Sequence, residues 1–303
     1  MEPAARFGCA LASADRDEPL LATASQVPEW LLVEVGGPWG RDAITQSDLG
    51  PHAPHVWREA MRRRGIRVIA IRRDLQRSDG PIRVVHVVAA RPGERAGSCR
   101  TRTIDHLHEL VAATEGLAAG YPPEWKHDPA RYVLVCTNGR HDPCCATFGR
   151  PLARSLRESR WAPDVWECSH IGGDRFAGNV VVLPDGLYFG RRDPGGAARV
   201  LDALDHGRLD LEGFRGRSTF RLAEQAAEHF VRVARELDAL DAVRGIERVD
   251  DSTLRVDVVE DGEPATYRVT IERTTVPAAT PLTCTGKEGL TYPSFRLVAL
   301  ARA

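Results

Sequence analysis

The fold of this chain is decided by two loop sequences, CTNGRHDPCCATFG at residues 136–149 and WECSHIGGDRFAGN at residues 166–179. Each loop follows a short apolar run that predicts a β-strand, over 132–135 and 165–168. The segment between the two strands predicts a helix from about 145 to 157. The sequence therefore predicts two loops at the same end of one α/β unit.

The residues that follow extend this unit. A hairpin is predicted from strands at 179–183 and 187–189, because Pro-Asp-Gly at 184–186 is a strong turn signal. A short helix follows over about 196–204. The resulting order of strand, helix, strand, hairpin and helix is that of a thioredoxin-like domain.

Four side chains on the two loops have the chemistry of metal ligands. Eight residues separate Cys136 from Cys145, and three separate His170 from Asp174. An iron–sulfur cluster with mixed ligation fits this set best, because thiolates hold iron and imidazole can replace them on one iron.

The rest of the chain predicts an α/β protein with three parts. The first part repeats the central order in a weaker form without a cysteine after its first strand, which suggests a degenerate thioredoxin-like copy. Its predicted elements are strands at 30–35, 67–71 and 83–89 and helices at 54–64 and 106–118. The predicted domains are residues 1–122, 130–207 and 215–303, with a linker over 122–129.

The last hundred residues predict a small α+β module. A long amphipathic helix over 221–240 precedes strands at 253–259, 265–271 and 295–301. An acidic turn at 260–262 is placed to join the first two strands.

Composition excludes several functional classes. The 303 residues carry a formal net charge of −1, so the protein as a whole has no net positive charge that would attract nucleic acid. No run of about 18 apolar residues predicts a membrane span. An odd number of cysteines, seven, without a secretion signal indicates reduced thiols or a cofactor site. We therefore expect a cytoplasmic protein that binds neither nucleic acid nor membrane.

The central motifs resemble those of the sucrase/ferredoxin-like family, whose cluster-bearing members are thioredoxin-like ferredoxins. The matching residues are Cys136, Asp142, Cys145, Trp166, His170-Ile-Gly-Gly and Arg175-Phe-Ala-Gly-Asn, and WLLVEVGGPWGRDA at 30–43 also matches. The resemblance implies a [2Fe–2S] cluster held by two cysteines nine positions apart and by a His-x-x-x-His pair. Carried over, the ligands are Cys136, Cys145 and His170.

The fourth ligand position departs from this pattern, because Asp174 stands where the family motif has histidine. A carboxylate is a hard ligand and an uncommon one for such a cluster. Asp174 therefore ligates weakly, another side chain replaces it, or the cluster is absent. The near candidates for replacement are His141, Cys144 and Cys168.

Three functions follow from these residues. The first is an iron–sulfur electron carrier or redox sensor that exchanges electrons with a redox partner protein. The second is thiol redox chemistry at Cys144 or Cys145, although the chain lacks the Cys-x-x-Cys motif. The third is a zinc-bound or metal-free module that binds a partner after losing the cluster. Whether the protein is an enzyme stays open.

The remaining cysteines predict packing. Cys9, Cys99 and Cys284 are scattered along the sequence, and burial in the core is expected for each. Cys144 is expected in the core or at a helix start, and Cys168 is expected to pack.

Overall fold

The structure, a computed structural model, describes residues 7–73, 80–93, 95–117 and 120–303. Within these ranges the chain is a mixed α/β protein with one ten-stranded sheet and one four-stranded sheet. The large sheet contains β1 (Glu29–Glu34), β2 (Ile66–Arg72), β3 (Ile82–Val88), β4 (Ser98–Ile104), β5 (Lys126–Asp128), β6 (Tyr132–Cys136), β7 (Val165–Cys168), β8 (Val180–Leu183), β9 (Leu187–Phe189) and β10 (Phe214–Arg217). The small sheet contains β11 (Val243–Arg248), β12 (Thr253–Glu260), β13 (Glu263–Pro277) and β14 (Thr291–Arg302). The helices are α1 (Cys9–Asp15), α2 (His55–Arg63), α3 (Leu110–Thr114), α4 (Pro143–Arg157), α5 (Pro194–Asp205) and α6 (Leu222–Arg235).

The large sheet has the strand order β10-β9-β8-β6-β7-β2-β1-β3-β4-β5. Its two halves have the same arrangement of strands. In the second half, β6, β7, β8 and β9 occupy the relative positions that β1, β2, β3 and β4 occupy in the first half. The first two strands of each half are parallel, and β2 joins β7 in antiparallel pairing between Ile71 and Cys168. The ends of β6 and β7 therefore lie near the middle of the sheet.

The strand β6 is buried on both faces, which explains its unbroken apolar sequence YVLVC. Successive side chains of a strand point to opposite faces. Val133 and Val135 pack with Leu152 and Leu156 of α4, whereas Leu134 and Cys136 belong to the cluster on the other face. Burial of each large apolar side chain contributes about 1.5–3 kcal/mol, so the sheet centre is a stable base for the loops that follow it.

The helix α4 begins where local chemistry directs it. The carboxylate of Asp142 accepts a hydrogen bond from the backbone N–H of Cys144 at 2.9 Å, and Pro143 occupies the first helical position. Gly149 then lets the helix approach β6, because a Cβ there would lie 2.0 Å from the carbonyl oxygen of Cys136. The close approach brings the first turn of α4 over the end of β6.

The small sheet packs on α6 through Ala226, Ala227 and Val231, which contact apolar side chains of β12 and β13. On the other side of α6, Glu228 forms buried ion pairs of 2.9 Å with Arg217 of β10 and 3.1 Å with Arg232. The buried carboxylate thus links the helix to the edge of the large sheet.

Several predicted elements differ from the structure. The predicted linker over 122–129 contains the short strand β5, which pairs with β4. The predicted helix over 106–118 is a 3-10 turn at Leu107–Glu109 followed by the short α3; residues 118 and 119 lie outside the described ranges. The helix predicted over 221–240 is observed as α6 and ends at Arg235, because Glu236 adopts the left-handed backbone conformation, with φ 53°. The sequence reading missed α1, β4, β10 and β11.

Among the described residues, no helix combines the length and apolar character needed to cross a membrane.

Candidate metal centre

Three of the predicted ligands converge at the centre of the large sheet. Cys136 ends β6, Cys145 lies in the first turn of α4, and His170 lies in the loop after β7. One potential ligand atom from each lies within 4.8 Å of the other two. Both thiols are 1% exposed, whereas the histidine side chain is 20% exposed. The structure therefore brings the two sequence motifs together in one buried cluster.

Asp174 joins this cluster from the imidazole side. Its Oδ1 lies 2.8 Å from Nδ1 of His170 and accepts a hydrogen bond from the thiol of Cys145 at 3.5 Å. Its Oδ2 lies 3.8 Å from Nε2 of His141. All four predicted ligand residues are thus brought together.

His141 adds a second imidazole. Its ring stacks on the ring of His170 with centroids 3.7 Å apart and planes 9° from parallel. His141, His170 and Asp174 form a second group whose potential ligand atoms lie within 4.8 Å of one another. Sequence reasoning ranked His141 only as a substitute, because nothing local shows that the loop before α4 reaches the loop after β7.

In the metal-free cluster, the pKa of each titratable side chain depends on the protonation of its neighbours. Hydrogen bonds from Cys145 and Cys168 lower the pKa of Cys136 well below its usual value, against the effect of burial, and His170 lowers it further. Burial alone lowers the pKa of His170, but Asp174 and Cys136 outweigh burial and raise it to about 9. The surroundings therefore favour the thiolate of Cys136 beside the imidazolium of His170, and a thiolate is the form that binds metals.

The other two thiols are held in their protonated forms. The hydrogen bond to Cys136, followed by burial, raises the pKa of Cys145 well above its usual value. Burial, followed by the hydrogen bond to Cys136, does the same for Cys168. Cys168 lies opposite Cys136 in the β6–β7 register and packs in the core beside the cluster, at 0% exposed.

The loop after β7 is fixed by side chains from distant elements. Each carbonyl group of residues 170–173 accepts a hydrogen bond from a side chain. Arg67 of β2 donates to the first two carbonyls at 3.0 and 3.1 Å, and Ser25 donates to the second at 3.1 Å. Arg215 donates to the third at 3.1 Å, and Asn179 donates to the fourth at 2.7 Å. His170 and Asp174 are therefore held at a fixed spacing.

Arg215 is the more deeply buried of the two arginine donors, at 2% exposed. It also donates to Oδ1 of Asn179 at 2.7 Å and to the carbonyl oxygen of Thr23 at 2.6 Å. Gly173 has φ 82°, and a Cβ there would lie 2.5 Å from Nη2 of Arg215. The glycine is required both by its backbone angle and by the closeness of this guanidinium.

The imidazole side of the cluster opens to the surface. A cleft of about 440 Å³ is lined by both histidines, by Arg41 and Arg67, and by residues of the loop after β1. The two histidines line this cleft and the buried thiols do not, so the imidazoles are the part of the cluster that faces it.

The cysteines outside this cluster divide into two kinds. Cys99 is a core thiol that is 1% exposed, as predicted. Cys9 and Cys284 are not scattered, as their sequence positions suggested; they meet Cys144 and Asp142 in a separate group. No sequence signal indicated this group, because its members are up to 275 residues apart.

These features define an α/β protein with a buried cluster of thiols, imidazoles and a carboxylate that could hold a metal. The model of the sucrase/ferredoxin-like family matches residues 20–216, which is most of the chain, and the chain belongs to this family.

A curated relative is similar to part of the chain. It is "Altered inheritance of mitochondria protein 32" of Candida glabrata, which is 24% identical over 135 residues. The match covers 40% of this chain and 42% of the relative, so the chain matches less than half of that protein. No solved structure matches the chain significantly.

Proposed function

We propose that this chain is a [2Fe–2S] protein that acts in electron transfer or redox sensing with a redox partner protein. The observation that carries the proposal is the convergence of Cys136, Cys145 and His170, whose potential ligand atoms lie within 4.8 Å of one another. Membership of the sucrase/ferredoxin-like family supports it.

A thioredoxin-like fold for residues 130–207 is part of this proposal. The order β6, α4, β7, β8, β9, α5 and the central parallel pair β6–β7 support it. The same strand order in the first half supports a degenerate second copy. In both halves the loop after the first strand reaches the cleft, but only the second half supplies thiols there.

The donor set fits a mixed cluster. Cys136 and Cys145 supply two buried sulfurs for one iron, as in centres with cysteine on one iron and histidine on the other. His170 supplies an imidazole on the other side, and metal binding there would displace the proton that Asp174 stabilises at Nδ1, 2.8 Å from its Oδ1.

Two side chains compete for the fourth position. Asp174 contacts both Cys145 and His170, but a carboxylate suits this iron poorly. Of the replacement candidates, Cys144 contacts Cys284 and so faces a different group. We favour His141, because its ring is already stacked on His170 and would restore a pair of imidazole ligands.

When bound, the cluster would supply one-electron redox chemistry. The protein would hold it through two buried thiolates, exclude water from the sulfur side, and present the imidazole side to the cleft. The guanidinium groups of Arg41 and Arg67 beside that cleft would favour a partner with an acidic docking surface.

Anaerobic reconstitution with iron and sulfide tests the proposal. We expect two irons per chain and a visible absorption spectrum in the wild type, both lost in Cys136→Ser. The matched control is Cys99→Ala, which removes another buried thiol and should keep the colour. A colourless wild type after reconstitution would contradict the proposal.

The same experiment identifies the fourth ligand. If His141 ligates, His141→Ala should lose the cluster or alter its spectrum, and Asp174→Asn should retain it. The opposite result would assign the position to Asp174.

Thiol redox chemistry is the second candidate. The sequence predicts it at Cys144 or Cys145, but the raised pKa of Cys145 and the lowered pKa of Cys136 make Cys136 the better nucleophile. A stabilised thiolate next to the thiol of Cys145 could attack a disulfide or peroxide. Rapid modification of the metal-free protein by a small thiol reagent, lost in Cys136→Ser, would support this function.

A further inference from the structure

A second group of metal-ligand side chains lies on the other side of the α4 N-terminus. Cys9 begins α1, Asp142 and Cys144 begin α4, and Cys284 lies in the segment between β13 and β14. One potential ligand atom from each of the four lies within 4.8 Å of the others. Cys9 and Asp142 are 0% exposed and Cys144 is 5% exposed.

The distances within this group match tetrahedral coordination. Sγ of Cys284 lies 3.4 Å from Sγ of Cys144 and 3.5 Å from Sγ of Cys9. The oxygens of Asp142 lie 3.6 and 3.7 Å from Sγ of Cys9. Zinc–sulfur bonds of about 2.3 Å in a tetrahedron place sulfurs about 3.8 Å apart and a sulfur about 3.5 Å from a bound oxygen. These three separations therefore need to change by only a few tenths of an ångström, and the other pairs of ligand atoms lie within 4.8 Å of each other.

The backbone around the group already has features of a metal site. The N–H of Cys9 donates to Sγ of Cys284 at 3.4 Å, and the N–H of Cys284 donates to Asp142 at 2.7 Å. Such outer hydrogen bonds orient ligating atoms. Within the described part of the chain, no ion pair joins the buried carboxylate of Asp142 to a basic side chain. A cation in the group would neutralise this carboxylate and the thiolates together.

We propose that Cys9, Cys144, Cys284 and Asp142 bind one Zn²⁺ ion. Three thiolates and one carboxylate are a four-coordinate set without an open position, which is typical of structural zinc. Soft thiolates also select zinc over Mg²⁺ or Ca²⁺. Binding replaces the three thiol protons, which pass to solvent, and changes no oxidation state.

The ion would join three segments that are remote in the sequence. It would hold α1 and the β13–β14 segment against the start of α4. Because Cys144 and Cys145 are adjacent, the same helical turn would then belong to both metal groups. Zinc would thereby fix the backbone that presents Cys145 to the first group. The inference stands independently of the [2Fe–2S] proposal, since the two ligand sets share no residue.

Zinc titration of reduced, metal-free protein in competition with a chromophoric chelator tests the proposal. The variant Cys136→Ser removes a thiol from the first group only, and Cys284→Ser removes the most exposed thiol of the second. Because the first group can also take up zinc, the test is made in the Cys136→Ser background: we expect tight binding of about one equivalent by Cys136→Ser, and loss of that equivalent when Cys284→Ser is added to it. Cys99→Ala is the matched control and should bind as the wild type does.

A spectroscopic measurement on Cys136→Ser covers the case in which Cys284→Ser fails to fold. Co²⁺ in place of zinc should give the absorption of a tetrahedral site with thiolate ligands, and added zinc should remove it. Unchanged zinc uptake by Cys136→Ser when Cys284→Ser is added to it, in a protein that still folds, would overturn the proposal. So would a wild type that binds no zinc while its thiols are reduced and forms a Cys144–Cys284 disulfide in air. Iron content reports separately on the first group, so failure of one proposal is distinguishable from failure of the other.

Discussion

Arg215 is the residue through which the loop after β7 can be perturbed without touching a proposed ligand. The substitution Arg215→Met keeps a long unbranched side chain that can still pack on Phe176 and Tyr188, whose rings lie 5.0 and 5.4 Å from the guanidinium. It removes every hydrogen bond that the guanidinium donates. The acceptors left behind belong to Gly172, Asn179 and Thr23; Asn179 is buried and the other two are half-buried.

The loss in the free energy of unfolding that Arg215→Met causes follows from these contacts. Arg215 donates four hydrogen bonds at 2.6–3.1 Å to the acceptors of those three residues. At about 1.5–2 kcal/mol for each charge-assisted bond, their loss removes about 6–8 kcal/mol. Burial lowers the pKa of Arg215 from 12.5 to about 10, so the group stays charged at neutral pH. On balance the site therefore disfavours the charged guanidinium by about 3 kcal/mol, a penalty that methionine avoids. The expected net loss is about 3–5 kcal/mol.

Urea unfolding of the metal-free protein measures this loss, and iron content after reconstitution measures its effect on the site. We expect a less stable protein that binds less than the wild-type amount of iron, because His170 is no longer held by its loop. Arg160→Met, at an exposed arginine, is the control and should leave the unfolding midpoint unchanged. A net loss below about 1 kcal/mol with full iron content would refute the reasoning.

Three further predictions concern packing and protonation. Glu228→Gln should cost about 3–5 kcal/mol in urea unfolding, since it leaves two buried arginines without their carboxylate; wild-type stability would contradict this. Gly149→Ala should abolish iron binding by pushing α4 off the end of β6, whereas Gly195→Ala on α5 meets only ordinary contacts and should retain it. Burial lowers the pKa of His229 below 6.5, so the unfolded chain takes up its proton first and stability falls as pH drops through 6.5. His229→Phe should narrow the difference between the thermal midpoints at pH 7.5 and 5.5, and an unchanged difference would refute this assignment.

The centre of the fold was predictable because its signals are local. Unbroken apolar runs specify the buried strands β6 and β8, and Asp142-Pro143 marks the start of α4. Elements without such signals were missed. The strand β4 has the polar sequence SCRTRTI, which forms a strand only because β3 and β5 pair with its two edges.

The predicted ligands lie on two motifs within 40 residues, so the sequence by itself determined Cys136, Cys145, His170 and Asp174 as candidates for one site. The carboxyl ends of two parallel strands that are joined by a helix lie at the same edge of a sheet. The short sequence separation of the two motifs was therefore informative. Only the tertiary structure decided that His141 stacks on His170, that Arg215 holds the loop, and that Cys9 and Cys284 meet at Asp142. These contacts join segments between 29 and 275 residues apart. Burial and hydrogen bonding in the folded chain determine which of these residues meet, and no local periodicity of the sequence encodes these pairings.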